Sequence, residues 1–253
     1  AHATKFSDIK LRAIRNKILC LPIKRQANMY FACSKAAALK LYGNKYVNSG
    51  KVKVINNAID VEKFKFNNEV RKEIRASLNI DDKFVIGHVG RFNKQKNHTF
   101  IIDIFTEVKK RKADSVLMLI GDGPLLEYIV KKVSLLGLED SVLFLGRKSN
   151  VQDFLNAMDL FLLPSLFEGL PIAGVEAQAS GLPIIMSTDI TEEIGIANYS
   201  YVKLSEPAEF WAKKILDFKC NYERSKSYME VMKAGFDICK EAIKLEEIYC
   251  DLT

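Results

Sequence analysis

Two glutamates, Glu168 and Glu176, stand in the stretch LPSLFEGLPIAGVEAQASGLPII with seven residues between them. An ionised carboxylate can accept hydrogen bonds from both hydroxyls of a vicinal diol, such as a ribose or a hexose presents. Carboxylates repel phosphate, so sugar hydroxyls are their expected partners. Two glutamates at this spacing could also be solvated surface acids, because a spacing alone carries little information. The glycines and prolines around them favour a built turn and therefore the binding interpretation.

The residues around the two glutamates predict a strand, a loop, a helix and a second strand. The apolar run Leu160–Leu163 is typical of a buried strand, and Pro171 fits the first position of the helix that follows. Both glutamates can then face the crevice above the strand ends. The N–H groups at the start of a helix, where its dipole is positive, bind phosphate. The predicted phosphate donors are the backbone amides of Gly169, Leu170, Ile172 and Ala173.

The segment GHVGRFNKQKNH supplies two cations, Arg91 just beyond a predicted strand and Lys96 at the entry to the next helix. Gly90 would allow a close approach to the backbone. An arginine fork and a lysine point charge can clamp a diphosphate, although two cations in a loop are often only solvated. In FLGR, the backbone of Gly146 and Arg147 could read the edge of a base, and a plain connecting loop is an equal alternative.

Together these segments resemble a known family. FEGLPIAGVEAQASGLPII resembles the E-x7-E signature of retaining glycosyltransferases of family four, the group 1 type, which have the GT-B fold. The sequence GRF, with Lys96 five residues after Arg91, is similar to the second signature of that family. The likeness is greatest to bacterial members that build capsular and exopolysaccharides from nucleotide-activated sugars. The resemblance implies a UDP-linked hexose donor, a glycan or lipid-linked acceptor, and transfer with retention.

The resemblance also implies a role for each site residue. Glu168 would hold a hexose hydroxyl and orient the ring, and Glu176 would hold the ribose diol. Arg91, Lys96 and the helix start would stabilise the negative charge that builds on the departing diphosphate. We therefore expect Glu168, Arg91 and Lys96 to be catalytic. No metal or other cofactor is expected, because the cations neutralise the diphosphate and no Asp-x-Asp motif is present.

The segment IGDGPLLEY could be mistaken for a dinucleotide fingerprint. The third glycine of that fingerprint is replaced by Leu126, so the helix and strand could not pack as closely as the fingerprint requires. In the resembled family this GDGP is a turn beside the nucleotide, and we interpret it as structural. Asp122 and Asp189 are interpreted as surface or turn residues.

The alternation of strands and helices predicts an α/β protein with a parallel, Rossmann-like sheet. By resemblance, residues 1–58 are the remnant of an N-terminal, acceptor-side domain and linker, short of about one hundred residues of that domain. Residues 59–237 are the C-terminal nucleotide-sugar domain, and residues 238–253 a helix that crosses back. The predicted strands are Tyr30–Cys33, Val52–Ile55, Phe84–Val89, Val116–Ile120, Val142–Leu145, Leu160–Leu163 and Ile184–Met186. The predicted helices include Ser7–Ala27, Ser34–Tyr42, Glu69–Leu78 and the chain from Glu206 onward, in which Leu245 faces inward.

The net charge of +7 is concentrated at one end, because the first fifty residues hold ten lysines or arginines against one acid, Asp8. Such a segment could be a solvated face, or it could meet an anionic membrane or nucleic acid. Nucleic acid is not expected, since no aromatic residues are interleaved and no such motif occurs. Five cysteines without a Cys-x-x-Cys pair and no apolar run of about 18 residues favour a cytoplasmic protein, peripheral on the inner face of the membrane.

Two other functions stay open at this stage. With most of the acceptor domain missing, the chain could bind a nucleotide sugar and transfer nothing. It could also be a sugar-nucleotide epimerase, a class that shares the GT-B fold. An assay with a labelled donor separates transfer, binding alone and isomerisation.

Overall fold

The computed structural model of the protein describes residues 26–218 and 223–250. Its strands are β1 (Tyr30–Ala32), β2 (Val52–Val54), β3 (Phe84–Val89), β4 (Ser115–Ile120), β5 (Val142–Phe144), β6 (Leu160–Leu163), β7 (Ile184–Ser187) and β8 (Tyr199–Val202). Its α-helices are α1 (Lys35–Tyr42), α2 (Asn44–Asn48), α3 (Asn68–Ser77), α4 (His98–Arg111), α5 (Leu126–Leu135), α6 (Val151–Ala157), α7 (Ile172–Ala179), α8 (Ala208–Asp217), α9 (Ser227–Lys233) and α10 (Ile238–Cys250).

Strands β3 to β8 form one parallel sheet in the order β5-β4-β3-β6-β7-β8, and β1 and β2 form a separate parallel pair. The chain runs outward from β3 to β5 and then returns to place β6 on the other side of β3. The carboxyl ends of β3 and β6 therefore mark the switch point of the sheet, where open parallel sheets bind ligands. The loops after these two strands carry Arg91, Lys96 and Glu168, so the topology brings them to one place.

The large sheet is apolar on both faces because helices cover both of them. Alternate residues of each strand enter two separate hydrophobic cores. Helices α5 and α8 contribute Ile129 and Trp211 to one core, and helices α7 and α9 contribute Val175 and Val231 to the other. All four side chains are fully buried. The sheet is thus a rigid platform for the loops at its carboxyl end.

The structure confirms the α/β class, the parallel sheet and all seven predicted strands, whose ends differ by at most one residue. Ser34 caps α1 as its side chain accepts a hydrogen bond from the amide of Ala37. Strand β8 was not predicted. Among the described residues it pairs only with β7, at the sheet edge, and its polar Ser200 and exposed Tyr199 break the apolar run that marks the other strands.

Three helical predictions need correction. Helix α7 begins at Ile172 with Pro171 as its N-cap, not with Pro171 as the first helical residue. The described residues after Glu206 form three separate α-helices, α8, α9 and α10. Leu245 was predicted to face inward and is half-exposed, because α10 leaves the large sheet. The predicted helix from Ser7 lies outside the described residues except for its last two.

Helix α10 contacts the β1–β2 pair. The ring of Tyr249 lies 6.4 Å from that of Phe31, and Lys244 Nζ donates to the carbonyl of Val54 at 3.0 Å. The domain boundaries at residues 58 and 237 stay predictions. Next to them, the backbones of Ile59 and Asp237 form an isolated parallel bridge. None of the described helices combines the length and apolar character that a membrane span requires.

Candidate functional site

Three glycines close the carboxyl ends of adjacent strands β3, β4 and β5. The amide of Gly90 donates to the carbonyl of Ile120, and the amide of Gly121 donates to the carbonyl of Gly146, both at 2.9 Å. Gly121 has a φ of 142°, and a Cβ there would lie 2.0 Å from the carbonyl oxygen of Gly90. Only glycine permits this approach. The GDGP segment is therefore a structural turn, as predicted, and Asp122 Oδ1 accepts from the amide of Gly123 at 2.7 Å.

A cleft of about 490 Å³ opens above these glycines. The predicted residues Gly90, Arg91 and Arg147 line it together. Arg91 and Arg147 are exposed, and neither guanidinium forms a hydrogen bond or ion pair with any residue that the structure describes. Asp122, Lys148 and Val151 are among the lining residues that were not assigned to the site from the sequence. Lys148 follows Arg147 directly and could have been found from the basic pair; the other two carry no such signal.

The loop that begins at Arg91 reaches from the cleft to the loop after β6. Lys96 Nζ lies 2.6 Å from Glu168 Oε1, and Gln95 Nε2 donates to Glu168 Oε2 and to the carbonyl of Phe167, both at 3.0 Å. The side chains of Lys96 and Glu168 are 15% and 8% exposed. The structure thus joins these two residues in a buried ion pair beside the cleft. Gln95, which the sequence analysis did not single out, fixes the orientation of Glu168.

The start of helix α7 presents the predicted phosphate donors. Within the described ranges, the amides of Gly169, Leu170, Ile172 and Ala173 have no acceptor. The side chains of Leu170, Ile172 and Ala173 pack against the hydrophobic core and hold the turn in place. Four backbone donors at the positive end of a helix are a suitable site for an anion.

Glu176 lies one turn into α7 and does not border the cleft. Its carboxylate is half-buried and accepts no hydrogen bond from the part of the chain that the structure describes. Burial raises the pKa of Glu176, and the positive charge of nearby Lys63 opposes that rise. Its role toward a ribose stays a prediction.

Two buried histidines lie beneath the loop of Arg91 and Lys96. His88 Nδ1 lies 2.8 Å from the carbonyl of Leu162, so this nitrogen carries the proton. The ring of His98 stacks on Phe92 at 4.0 Å and meets His88 edge-on at 4.9 Å. Burial, with the charge of Lys96 as a smaller cause, lowers the pKa of His98 to about 4, and burial lowers that of His88 well below 6.5. Both rings are neutral at neutral pH.

The fold and the site define a GT-B protein, and the comparison with known proteins agrees. Residues 70–230 match the family of glycosyl transferases group 1, and the chain belongs to that family. The matched region contains every predicted site residue from Gly90 to Glu176. It does not include the β1–β2 pair or α10.

Three relatives illustrate the likeness. EpsF of Bacillus subtilis, named as a glycosyltransferase, is 38% identical over 196 residues, which are 76% of this chain and 51% of EpsF. The UDP-Gal:alpha-D-GlcNAc-diphosphoundecaprenol alpha-1,3-galactosyltransferase of Escherichia coli is 31% identical over 217 residues, 82% of this chain and 56% of the relative. The crystal structure of HepE from Anabaena in complex with UDP and glucose matches with a TM-score of 0.78 at 21% identity, over 94% of this chain and 67% of HepE. The chain spans about half the length of the two relatives matched by sequence.

Proposed function

We propose that the chain is the donor-binding part of a retaining glycosyltransferase that moves a hexose from a UDP-sugar to a glycan or lipid-linked acceptor in the synthesis of a cell-surface polysaccharide. The observation that carries this proposal is the pair of exposed arginines, Arg91 and Arg147, at a glycine-floored cleft on the switch point of the sheet. The partners named for the relatives support it, since HepE binds UDP and the Escherichia coli relative uses UDP-Gal.

In this function the diphosphate lies between Arg91 and the start of α7. As the bond from the anomeric carbon to the phosphate oxygen lengthens, negative charge builds on that oxygen. Arg91 and the free amides at Gly169 to Ala173 stabilise the charge without reorganising, which lowers the barrier. Lys96 can turn toward the diphosphate while its partner Glu168 accepts a hydrogen bond from a hexose hydroxyl. Retention requires the acceptor hydroxyl to enter on the face from which the diphosphate leaves.

We propose that these cations and amides suffice and that no metal takes part. UDP should then bind equally well with and without a chelator.

Calorimetric titration of the chain with UDP tests the donor site directly. We expect binding in the micromolar to low millimolar range for a nucleotide held by a few charged contacts, roughly 4 to 8 kcal/mol. Absence of binding by folded protein at millimolar UDP would overturn the proposal. An assay with a labelled UDP-hexose and a lipid-linked acceptor then distinguishes transfer from an unchanged or an isomerised donor.

We also propose that the basic first fifty residues meet an anionic membrane surface on the cytoplasmic side, where a lipid-linked acceptor is presented. Lys35, Lys40 and Lys45 are exposed, and the other basic residues of this segment lie outside the described ranges. Each basic residue near such a surface contributes about 1 kcal/mol. Sedimentation with vesicles of about one third anionic lipid should retain the native chain at low salt. A variant in which glutamine replaces Lys10, Arg12, Arg15 and Lys17 should not sediment with the vesicles. Equal sedimentation of the variant and the native chain would contradict the proposal.

A further inference from the structure

The carboxylate of Glu193 joins the unit of the large sheet to helix α1, 158 residues away in sequence. The amide of Lys35 donates to Oε2 at 3.0 Å, and the amide of Ala36 donates to Oε1 at 2.8 Å. The next amide, that of Ala37, donates to its own cap, Ser34 Oγ, at 3.1 Å. First-turn amides lack acceptors within their helix and carry its positive end. A single carboxylate from the other unit therefore satisfies two of them with charge-assisted bonds.

The segment that carries Glu193 is fixed to helix α7. It is a short 3-10 turn, Glu192–Ile194, which follows strand β7. The fully buried Gln178 of α7 donates through Nε2 to the carbonyl of Ile194 at 2.7 Å. Its Oε1 accepts from the amides of Ile196 and Ala197 at 3.1 and 3.0 Å. The turn and α7 must therefore move together.

The same segment is also tied to the loop before α7. The backbone of Ile190 forms a parallel bridge with the backbone of Glu168, and Glu168 is the residue paired with Lys96. Tyr201 donates its hydroxyl to the carbonyl of Thr191 at 3.2 Å and steadies the stretch between the bridge and Glu193. Only two residues, Thr191 and Glu192, thus separate the bridge to Glu168 from the residue that contacts α1.

A second set of contacts joins the two units elsewhere, at the linker. The amide of Asn56 donates to Glu241 Oε2 at 2.9 Å, and its side chain donates to the carbonyl of Gly235 at 2.9 Å. Loss of Glu193 would leave these contacts in place. Its removal should free α1 without separating the units.

We infer that Glu193 is a positioning residue that couples occupation of the donor site to the placement of helix α1. The inference rests on the proposed function, since the coupling begins with a diphosphate at the start of α7. A diphosphate there competes for Lys96 and orders the loop of Glu168. That order passes through the bridge at Ile190 to Glu193 and strengthens its two bonds to α1. Helix α1 belongs to the unit assigned to the acceptor, so donor binding sets the position of the acceptor side.

Amide hydrogen exchange, measured by NMR with and without saturating UDP, tests the coupling at single residues. In the native chain UDP should slow exchange at Lys35 and Ala36 about five- to tenfold, a typical coupling between sites. In Glu193→Ala both amides should exchange fast and UDP should not slow them. Ala37 is the internal reference, because its acceptor is the N-cap of the same helix, Ser34, and its exchange should stay the same. Glu192→Ala, which removes the exposed neighbouring acid, is the matched control and should behave as the native chain.

Titration of the same samples separates the two proposals. Because coupling is reciprocal, Glu193→Ala should weaken UDP by no more than the factor seen in exchange. If UDP binds the native chain and leaves Lys35 and Ala36 unchanged, or slows them equally in Glu193→Ala, Glu193 has no coupling role and the donor site stands. If folded native chain does not bind UDP, the proposed function fails first and the coupling with it.

Discussion

Arginines gather at both ends of the large sheet, and they differ in what their donors meet. At the amino end, Arg71 and Arg75 both pair with Asp159, whose oxygens lie 2.5 and 3.3 Å from them. Arg224 donates to the carbonyls of Ser180, Leu155 and Met158. At the carboxyl end, Arg91 and Arg147 border the cleft with no partner among the described residues.

The comparison shows how a structural cation can be told from a binding one. An arginine whose fork is taken up by carbonyls and a carboxylate holds elements together and has few donors left for a ligand. An exposed arginine on a cleft keeps all its donors, and its fork matches the oxygens of a phosphate. We therefore expect substitutions at the amino end to change stability and substitutions at the carboxyl end to change binding.

The largest expected effect is at the amino end. Asp159→Ala should lower the free energy of unfolding by about 3 to 5 kcal/mol, because Arg75 would be left buried without its carboxylate. The amide of Val85 would also lose its acceptor, which lies at 2.7 Å. Urea denaturation measures this loss. Glu69→Ala, which breaks the exposed pair with Lys72, is the control and should cost no more than about 0.5 kcal/mol.

At the carboxyl end, Arg91→Ala should weaken UDP binding by about 1.5 to 3 kcal/mol, the range for a hydrogen bond to a charged group, while uridine binding changes little. Calorimetric titration with each ligand gives the two values. The variant should keep the native free energy of unfolding, because the side chain of Arg91 has no hydrogen-bond or ion-pair partner among the described residues. Equal losses for UDP and uridine, or a loss of stability like that of Asp159→Ala, would break the comparison.

The buried histidines His88 and His98 extend this comparison, because their side chains are polar and yet have a structural role. Histidines in the unfolded chain titrate near pH 6.5, whereas burial lowers the pKa of His98 to about 4. Between these two pKa values the unfolded state binds more protons than the folded state. The contribution of His98 to stability is therefore full above about pH 6.5 and decreases as the pH falls toward 4. From about pH 7.5 to about pH 5, His98 alone should account for a loss on the order of 2 kcal/mol.

Urea denaturation at both pH values measures that loss. His98→Phe keeps a ring stacked on Phe92 and removes the titration, so its pH dependence should be smaller by that amount. An unchanged dependence would mean that His98 does not titrate in this window.

The sheet and the residues of the site could be predicted from the sequence, but the contacts between those residues could not. Buried strands such as Leu160–Leu163 are apolar runs with clear ends, and the E-x7-E stretch carries its own turn residues. The ion pair of Lys96 with Glu168 depends on how closely two loops approach across the switch point, which no local pattern encodes. The contact of Glu193 is equally hard to predict, because its partners are backbone amides about 158 residues away, and such amides could donate to any carboxylate.

The smallest expected effect extends the comparison from the cations to the two glutamates. Glu168 is paired with Lys96 and Gln95, like the arginines of the amino end, whereas Glu176 has no hydrogen-bond partner in the described ranges, like Arg91. Glu176→Ala should therefore weaken UDP by about 1.5 kcal/mol. The value lies at the low end because the substitution also removes the cost of keeping a half-buried carboxylate charged, which its raised pKa reflects.

Glu168→Ala should leave the affinity for UDP within about twofold, a difference of about 0.4 kcal/mol, since its proposed partner is the hexose and the loss of its charge frees Lys96 for the diphosphate. Titration of both variants with UDP, beside Glu127→Ala as an exposed control on α5, measures the ranking. If Glu168→Ala weakened UDP more than Glu176→Ala did, the roles of the two carboxylates would be exchanged. The number of hydrogen-bond and ion-pair partners would then not separate binding from structural residues among the glutamates, even if it does so among the arginines.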